Sequence, residues 1–318
     1  MIAHSKVAHS LAEASAFKPC AVTIGNFDGV HLAHRQLLRL AAEAAAGAGV
    51  RPAVLTFDPH PSCVVAPERA PRLLTSLDER CELIQGEGIE HILIQPFTTD
   101  MAQLTPEEFA MRFLREGLGA RCVIVGENFR FGCKQAGDTH TLTELGSRLG
   151  FEVRLLKTVE WRGRRVSSGE VRKLLAAGEV GIAGRLLERP YAISGDIVSG
   201  HGIGSKQTVP TLNLRTAAQV IPAGGVYITR TSEIDGPRRW NSITNIGYRP
   251  TFDNDDTLSI ETFLLDPLAG GTPQRIRLEF LRRVREERKF ESPEVLKAQI
   301  LRDVGRAQTF FRRMKPLR

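Results

Sequence analysis

The first half of the sequence alternates short apolar segments with segments that have helix-start signals. The apolar segments are rich in Val and Ile and have the length of buried strands: 20–25, 52–57, 91–97, 121–126 and 151–157. Capping boxes start at Ser76, Thr105 and Thr141 between them, and Pro106 takes the first helical position after Thr105. Strands alternating with helices predict a parallel sheet covered on both faces, which binds ligands at the carboxyl ends of its strands.

The pattern changes after about residue 185. Strand-like segments follow one another without helices, separated by Gly, Pro, Asn and Asp: 191–199, 226–231, 240–246, 259–265 and 275–280. This spacing predicts a small antiparallel barrel or sandwich. A last helix is predicted from its cap Ser292 to about Arg313. We therefore predict two domains, 1–184 and 185–318, which suits a chain of 318 residues.

The chain carries a formal net charge of +7. Much of the excess lies near the C-terminus, in Arg275, Arg277, Arg282, Arg283, Arg285, Arg288, Lys289, Arg312, Arg313, Lys315 and Arg318. A nucleic-acid binder and an enzyme for anionic substrates both fit this charge, and a solvated basic face is the commonest explanation. Aromatic residues do not interleave these charges as a single-strand binding surface requires, so we expect no nucleic-acid partner.

The five cysteines are widely spaced and include no CxxC pair. Their number and spacing argue against a disulfide framework and against a zinc site. The N-terminal segment has no apolar signal-peptide core, and no apolar run has the length of a membrane span. We expect a cytoplasmic protein without a membrane partner.

The first strand runs into a glycine-containing turn and then a helix. Gly25 and Gly29 allow the backbone to approach a ligand closely, and the start of the helix offers N–H groups to a phosphate. His31 and His34 are three residues apart and are expected on one face, where both rings can donate hydrogen bonds to a phosphate. The alternatives are polar residues at a helix start and a zinc site, for which no third ligand is evident.

The run 23–34 resembles the HxGH-type nucleotidyltransferase motif of the bacterial bifunctional riboflavin kinase/FMN adenylyltransferases, with Ala33 in place of the usual Gly. The resemblance implies a Rossmann-like α/β nucleotidyltransferase domain followed by a β-barrel domain with a C-terminal helix. It makes His31 and His34 the catalytic residues of adenylyl transfer. It implies that ATP is bound there by Gly25, Asn26, Phe27, Asp28, Gly29, Ser168 and Arg172.

Three further segments of the first domain resemble family motifs. The segment 56–61 resembles the turn after the second strand. The segment 167–172 resembles the second nucleotide motif, in which Arg172 neutralises phosphate; Gly169 replaces a hydroxyl residue. The loop 126–132 resembles the flavin end of the adenylylation site and implies that Asn128, Phe129 and Arg130 bind flavin. Phe129 or Phe131 can stack on the isoalloxazine ring, and the alternative is that both rings belong to the core.

In the second domain, Gly200, Gly202 and Lys206 form a glycine-rich segment that alone is no more than a hairpin loop. The following 210–213 segment resembles the PTxN motif of riboflavin kinases. The resemblance implies that Gly200, Gly202 and Lys206 bind ATP and that Thr211 and Asn213 hold Mg²⁺ and the ATP phosphates. Thr208, Val209 and Leu212 depart from the family pattern.

The segment 260–266 resembles the strand that carries the kinase's catalytic glutamate. Glu261 is thereby implied as the base that takes the proton of the ribityl hydroxyl; without the resemblance it is an exposed carboxylate on a strand. The segment 281–290 resembles the flavin-covering loop and implies that Arg285 and Phe290 bind flavin.

The resemblance implies a cytoplasmic transferase that phosphorylates riboflavin to FMN and adenylylates FMN to FAD, with ATP and Mg²⁺, as a monomer or weak homo-oligomer. Four alternatives stay open. They are an adenylyltransferase with an impaired kinase half, a nucleotidyltransferase for another substrate, a non-catalytic flavin-binding regulator, and an RNA or DNA binder suggested by charge alone.

Overall fold

The computed structural model describes residues 6–198, 211–216, 219–249, 257–268 and 270–314. Contacts between Cα atoms divide the chain into two compact units, Met1–Ser168 and Gly169–Arg318. The predicted boundary between the catalytic domains, at 184/185, stays a prediction, because packing alone does not say where the chemistry divides.

The first unit contains a six-stranded sheet in the order β1-β4-β3-β2-β5-β6, and all its pairings are parallel. Its strands are β1 Lys6–Ala8, β2 Cys20–Ile24, β3 Arg51–Asp58, β4 His91–Pro96, β5 Ala120–Gly126 and β6 Glu152–Leu156. Its helices are α1 Leu32–Ala48, α2 Pro61–Val65, α3 Leu77–Gln85, α4 Thr99–Ala102, α5 Pro106–Phe109, continued by a π-helical segment Ala110–Gly117, and α6 Thr139–Leu149. Short 3-10 turns lie at Glu13–Phe17, Pro67–Arg69 and Cys133–Gln135, and the strands β7 Glu160–Trp161 and β8 Arg164–Arg165 form a small hairpin.

Two apolar clusters cover the two faces of this sheet. One contains Phe17, Phe109 and Phe113, and the other contains the buried side of α1, including Leu38 and Ala41. Strand residues alternate between the clusters: Val22 belongs to the first and Ala21 to the second. The predicted parallel sheet with both faces covered is confirmed.

The helix-start predictions had mixed outcomes. Ser76 caps α3, and Thr105 with Glu108 forms a complete capping box at α5. The capping box predicted at Thr141 is wrong. Asp138 caps α6 instead, because its carboxylate already accepts the N–H of Thr141 at 2.9 Å, so the helix begins three residues earlier than predicted.

The second unit contains a closed antiparallel barrel in the order β10-β13-β12-β11-β14-β9, closed by the pairing of β9 with β10. Its elements, with the helices before and after the strands, are α7 Ser168–Ala176, α8 Val180–Leu187, β9 Tyr191–Val198, β10 Thr211–Arg215, β11 Gly225–Glu233, β12 Arg239–Arg249, β13 Thr257–Leu264, β14 Arg275–Glu286 and α9 Pro293–Arg313. The antiparallel barrel with its C-terminal helix is thereby confirmed. Sequence analysis predicted only a motif where β10 lies, although Leu212 and Leu214 alternate there as buried residues.

The two faces of the barrel wall differ in chemistry. On the outer face, α9 packs through Ala307 against Val226, Ile228 and Ile243. The inner face holds five fully buried hydroxyl residues that hydrogen-bond to one another: Thr229, Thr231, Ser242, Thr244 and Thr262. Successive residues of a strand alternate between the two faces, and directly opposite residues of neighbouring strands share a face. Strand register relative to Val226 and Ile243 therefore shows which polar residues lie on the outer face.

No helix within the described part of the chain combines the length and the apolarity needed to cross a membrane.

Candidate active sites

The turn between β2 and α1 is conformationally unusual. Phe27 and Val30 have φ values of 49° and 37°, and Gly29 has a φ of 81°. Positive φ in bulky residues costs energy, and such residues concentrate at functional sites. A Cβ on Gly25 would lie 3.3 Å from the buried ring of Phe27, a tight contact that a glycine at this position avoids. The packed turn presents its backbone at the carboxyl end of β2.

His31 and His34 lie side by side at the start of α1. Their ring centroids are 3.7 Å apart with an interplanar angle of 12°. His31 is the N-cap of the helix, and its Nδ1 accepts the backbone N–H of His34 at 3.3 Å. That bond places the proton of a neutral His31 ring on Nε2, as a hydrogen-bond donor suited to phosphate.

The surroundings of His34 favour its neutral form. Burial lowers the pKa of His34 well below its ordinary value of 6.5, and the nearby His31 and Arg80 lower it further. Its Nδ1 is buried and has no partner among the described residues. A neutral His34 with its proton on Nε2 agrees with this environment, since a bare Nδ1 costs less than a buried N–H without an acceptor.

Asp28 is buried, and its carboxylate accepts hydrogen bonds from the backbone. Its Oδ1 accepts the backbone N–H groups of Leu74 at 2.9 Å and Thr75 at 3.2 Å. The N–H of Gly29 donates to Oγ1 of Thr75 at 3.1 Å, so both sides of the turn are tied to the segment before α3. Through these hydrogen bonds Asp28 stabilises the turn. Its predicted contact with ATP stays a prediction.

Arg80 lies beneath this turn and was missed by sequence analysis. It is 1% exposed and donates from a terminal guanidinium nitrogen to the backbone oxygen of Phe57 at 3.3 Å. Burial lowers its pKa from the ordinary value, while the charges of Asp28 and Asp58 oppose that shift. The buried guanidinium of Arg80 thus ties α3 to the carboxyl end of β3.

Two more residues join the turn. The side chain of Asn26 shares a hydrogen bond of 3.0 Å with Nε2 of His60, which caps α2 in the turn after β3. Oγ of Ser168 donates to the backbone oxygen of Asp28 at 2.9 Å. Ser168 is therefore brought to the turn, as its predicted role requires. Arg172 falls in the second compact unit, and its predicted contact with ATP stays a prediction.

The predicted flavin-binding loop follows β5, which lies beside β2 in the parallel sheet. Phe129 is half-buried and stacks on Phe131 with centroids 5.5 Å apart, whereas Phe131 is buried in the core. Asn128 donates to Oγ1 of Thr158 at 3.3 Å, and Arg130 is exposed with Asp138 at 3.5 Å. The two phenylalanines thus differ in exposure: Phe131 is part of the core, and Phe129 is the one that keeps accessible ring surface for a ligand.

In the barrel, strand register brings the predicted kinase residues together. Asn213 on β10 lies directly opposite Glu261 on β13, and Glu261 lies opposite Asn245 on β12. Directly opposite residues of an antiparallel pair share a face, here the outer face that also carries Val226, the partner of Asn245. Oγ of Ser259 donates to Oε1 of Glu261 at 3.0 Å.

The donor set on β10 suits a hard cation. Thr211 is exposed and Asn213 half-buried, and their spacing of two residues puts both on the outer face of the strand. A hydroxyl and an amide oxygen beside the carboxylate of Glu261 are the oxygen ligands that Mg²⁺ shares with phosphate. The predicted Gly200, Gly202 and Lys206, with the departures Thr208 and Val209, lie outside the described residues.

Arg285 and Phe290 meet beside α9. The guanidinium of Arg285 lies 5.4 Å from the centroid of Phe290, and that of Arg288 lies 4.9 Å from it. Nε of Arg285 donates to the buried carboxylate of Asp303 at 2.7 Å. Both predicted flavin residues are thus held at the end of β14, and Asp303 is a partner that sequence analysis did not identify.

Comparison with known proteins shows the family of the chain. Residues 13–170 match the family model described as FAD synthetase, and residues 187–311 match that described as riboflavin kinase. A bifunctional riboflavin kinase/FMN adenylyltransferase of Pseudomonas fluorescens is 38% identical over 289 residues, covering 91% of this chain and 92% of the relative. That of Escherichia coli K12 is 35% identical over 308 residues, covering 97% of both chains. The chain belongs to this bifunctional family.

A crystal structure described as a macrolide-efflux protein from Streptococcus pneumoniae is also similar. Its TM-score is 0.83 at 26% identity, covering 92% of this chain and 94% of that one. The likeness extends over most of both chains, so it includes both units of this one.

Within the family framework, the residues that sequence analysis missed have one property in common. No family motif quoted for the sequence includes Arg80, Asn245, Ser259 or Asp303. Arg80, Asn245 and Asp303 act through partners far away in sequence, whereas Ser259 bonds to Glu261 within one strand. No local sequence signal identifies Arg80, because its burial depends on which segments meet in the fold. A serine two residues before a strand glutamate is the signal for Ser259, since that spacing puts both on one face.

Proposed function

We propose that the chain carries out both reactions of its family: it transfers the γ-phosphate of ATP to riboflavin and then transfers AMP from a second ATP to the FMN formed. The observation that carries the proposal is the coexistence of two sites. One is the His31–His34 pair on a strained turn, and the other is the row of Asn213, Glu261 and Asn245 on the barrel.

In the kinase reaction, Glu261 accepts the proton of the terminal ribityl hydroxyl as that oxygen attacks the γ-phosphorus, and ADP leaves. Asn213 and Thr211 supply oxygen ligands beside the carboxylate. Mg²⁺, which these residues fit, neutralises phosphate charge when bound. Arg285 and Phe290 contact the flavin, and their own contacts with Asp303 and with each other give them fixed positions.

In the adenylyl transfer, a phosphate oxygen of FMN attacks the α-phosphorus of ATP, and pyrophosphate leaves. Nε2–H of His31 donates to the phosphate oxygens, on which negative charge grows during transfer. A neutral His34 can also donate from Nε2, and the turn from Gly25 to Gly29 supplies backbone N–H groups. Phe129 offers an aromatic face to the isoalloxazine ring.

The partners we propose are riboflavin, FMN and ATP, in the cytoplasm. A monomer or weak homo-oligomer and the absence of a nucleic-acid partner stay predictions. Sedimentation tests the first, and a binding titration against salt tests the second, because phosphate contacts give a steep salt dependence.

The decisive experiment follows riboflavin, FMN and FAD by chromatography in the presence of ATP and Mg²⁺. The wild-type protein is expected to form FMN and then FAD. The variant Glu261→Gln should leave riboflavin unchanged yet convert supplied FMN to FAD, and His31→Ala should accumulate FMN. Wild-type protein that converts only supplied FMN would show an impaired kinase half, and protein that forms neither product would contradict the proposal.

A further inference from the structure

The barrel face around Glu261 contains a hydrogen bond that none of the quoted kinase motifs includes. Ser259 lies two residues before Glu261 on β13, so both side chains point to the outer face. Oγ of Ser259 is 3.0 Å from Oε1 of Glu261, and both residues are half-buried. The hydroxyl hydrogen of serine therefore has a carboxylate acceptor within the same strand.

We propose that Ser259 is a positioning residue for phosphoryl transfer, which holds the Glu261 carboxylate in the rotamer that receives the substrate proton. The proposal rests on the proposed role of Glu261 as the base. A general base must come within about 3 Å of the oxygen whose proton it removes. A glutamate side chain has three rotatable bonds, and a hydrogen bond to one oxygen fixes the direction of the other.

The cross-strand neighbours make this orientation specific. Asn213 and Asn245 lie on either side of Glu261, so the carboxylate stands in a row of polar residues across three strands. Asn213 and Asn245 limit the movement of the Glu261 carboxylate across the strands. The hydrogen bond from Ser259 fixes the carboxylate in the remaining direction, along the strand.

The electrostatic surroundings add a second reason for a donor at position 259. Gly247 lies directly opposite Ser259 on β12, and the carboxylate of Glu287 occupies the space that a side chain at Gly247 would fill. Glu287 thus brings a second negative charge to this face of the barrel. A hydroxyl that donates to Glu261 favours the ionised form, the form that a base requires.

The test compares Ser259→Thr with Ser259→Val in the full chain. The two replacements have nearly the same shape and both suit a strand, but only threonine keeps the hydroxyl. For riboflavin phosphorylation we expect Ser259→Val to lower kcat about tenfold with little change in KM, and Ser259→Thr to restore most of it. The acid limb of the kcat profile should move to higher pH in Ser259→Val and not in Ser259→Thr.

Two controls accompany the pair. Ser232→Ala changes a half-buried serine on β11, away from the Asn213–Glu261–Asn245 row, and should leave phosphorylation unchanged. Hydrogen exchange resolved by peptide reports whether the barrel of each variant is intact, and conversion of supplied FMN to FAD reports the first unit. Equal kcat values and pH profiles for wild type and Ser259→Val would overturn the proposal, as would Ser259→Thr as slow as Ser259→Val. An active Glu261→Gln variant would overturn the assignment of Glu261 as the base. The Ser259 variants test the positioning role separately, so the two failures can be distinguished.

Discussion

The two candidate sites are held together by different means. The turn at 25–34 is fixed by buried polar groups: Asp28 caps two N–H groups, Arg80 is enclosed beneath it, and three of its residues have positive φ. The kinase residues instead stand half-exposed on a barrel wall, in positions given by strand register. Substitutions at the first site should therefore change stability and activity together, whereas those at the second should separate them.

The largest expected effect is at Arg80. Arg80→Met removes the buried cation near the buried carboxylate of Asp28 and takes the donor away from the backbone oxygen of Phe57, and a buried charge left without its compensating cation costs about 3 to 5 kcal/mol. Hydrogen exchange, resolved by peptide, should show the loss in the first unit. Arg39→Met is the matched control, because Arg39 pairs with Glu87 from a half-exposed position and such a pair contributes about 1 kcal/mol or less. Equal stabilities of the two variants would contradict an ionic role for Arg80.

A smaller loss is expected inside the barrel. Thr244→Val removes the hydroxyl that bonds to Thr229 at 2.8 Å and to Thr262 at 2.9 Å, and unsatisfied buried hydroxyls cost about 1 to 3 kcal/mol. The outer-face row should keep its register, so kcat for riboflavin phosphorylation should fall much less than stability. A fall in kcat as large as that of Ser259→Val, in protein that remains folded, would show that the interior network also positions the kinase residues.

The sequence predicted the parallel sheet and the barrel because their signals are local: apolar runs of strand length, turn residues and helix caps. It did not predict β1, a three-residue strand whose identity depends on pairing with β4. It placed His31 and His34 on one face because helical spacing alone determines that. Arg80 and Asn245 needed knowledge of which segments meet in space, since neither the enclosure of Arg80 nor the row through Glu261 is written in neighbouring residues.

The pH dependence of stability should also differ between the units. The pKa of His34 is lowered in the folded state, mainly by burial, so the unfolded chain binds the proton more strongly. The stabilisation is complete above about pH 6.5 and is lost as the pH falls below that value, at about 1.4 kcal/mol per pH unit until the folded group also titrates. The second unit contains His201 as its one histidine.

Between pH 7 and pH 5, hydrogen exchange should therefore show a destabilisation of about 1 to 2 kcal/mol in the first unit. His34→Gln should remove most of this dependence. His140→Asn, which changes a ring exposed on the surface of α6, is the control and should retain it. A pH dependence that survives in His34→Gln would assign the proton uptake to another group.

The smallest effect is expected at Phe129, where the first site most resembles the second, because this ring is half-exposed like the kinase residues. Phe129→Leu keeps apolar contact with Phe131 but loses the flat face, so the KM for FMN should rise severalfold, as expected for an aromatic contact of about 0.5 to 1.5 kcal/mol. Riboflavin phosphorylation and stability should change little. Phe131→Leu is the contrast: its ring is buried in the core, so stability should fall more than affinity does. An unchanged KM for FMN in Phe129→Leu would mean that Phe129 serves only to cover Phe131, and the flavin contact would then have to come from elsewhere on this edge of the sheet.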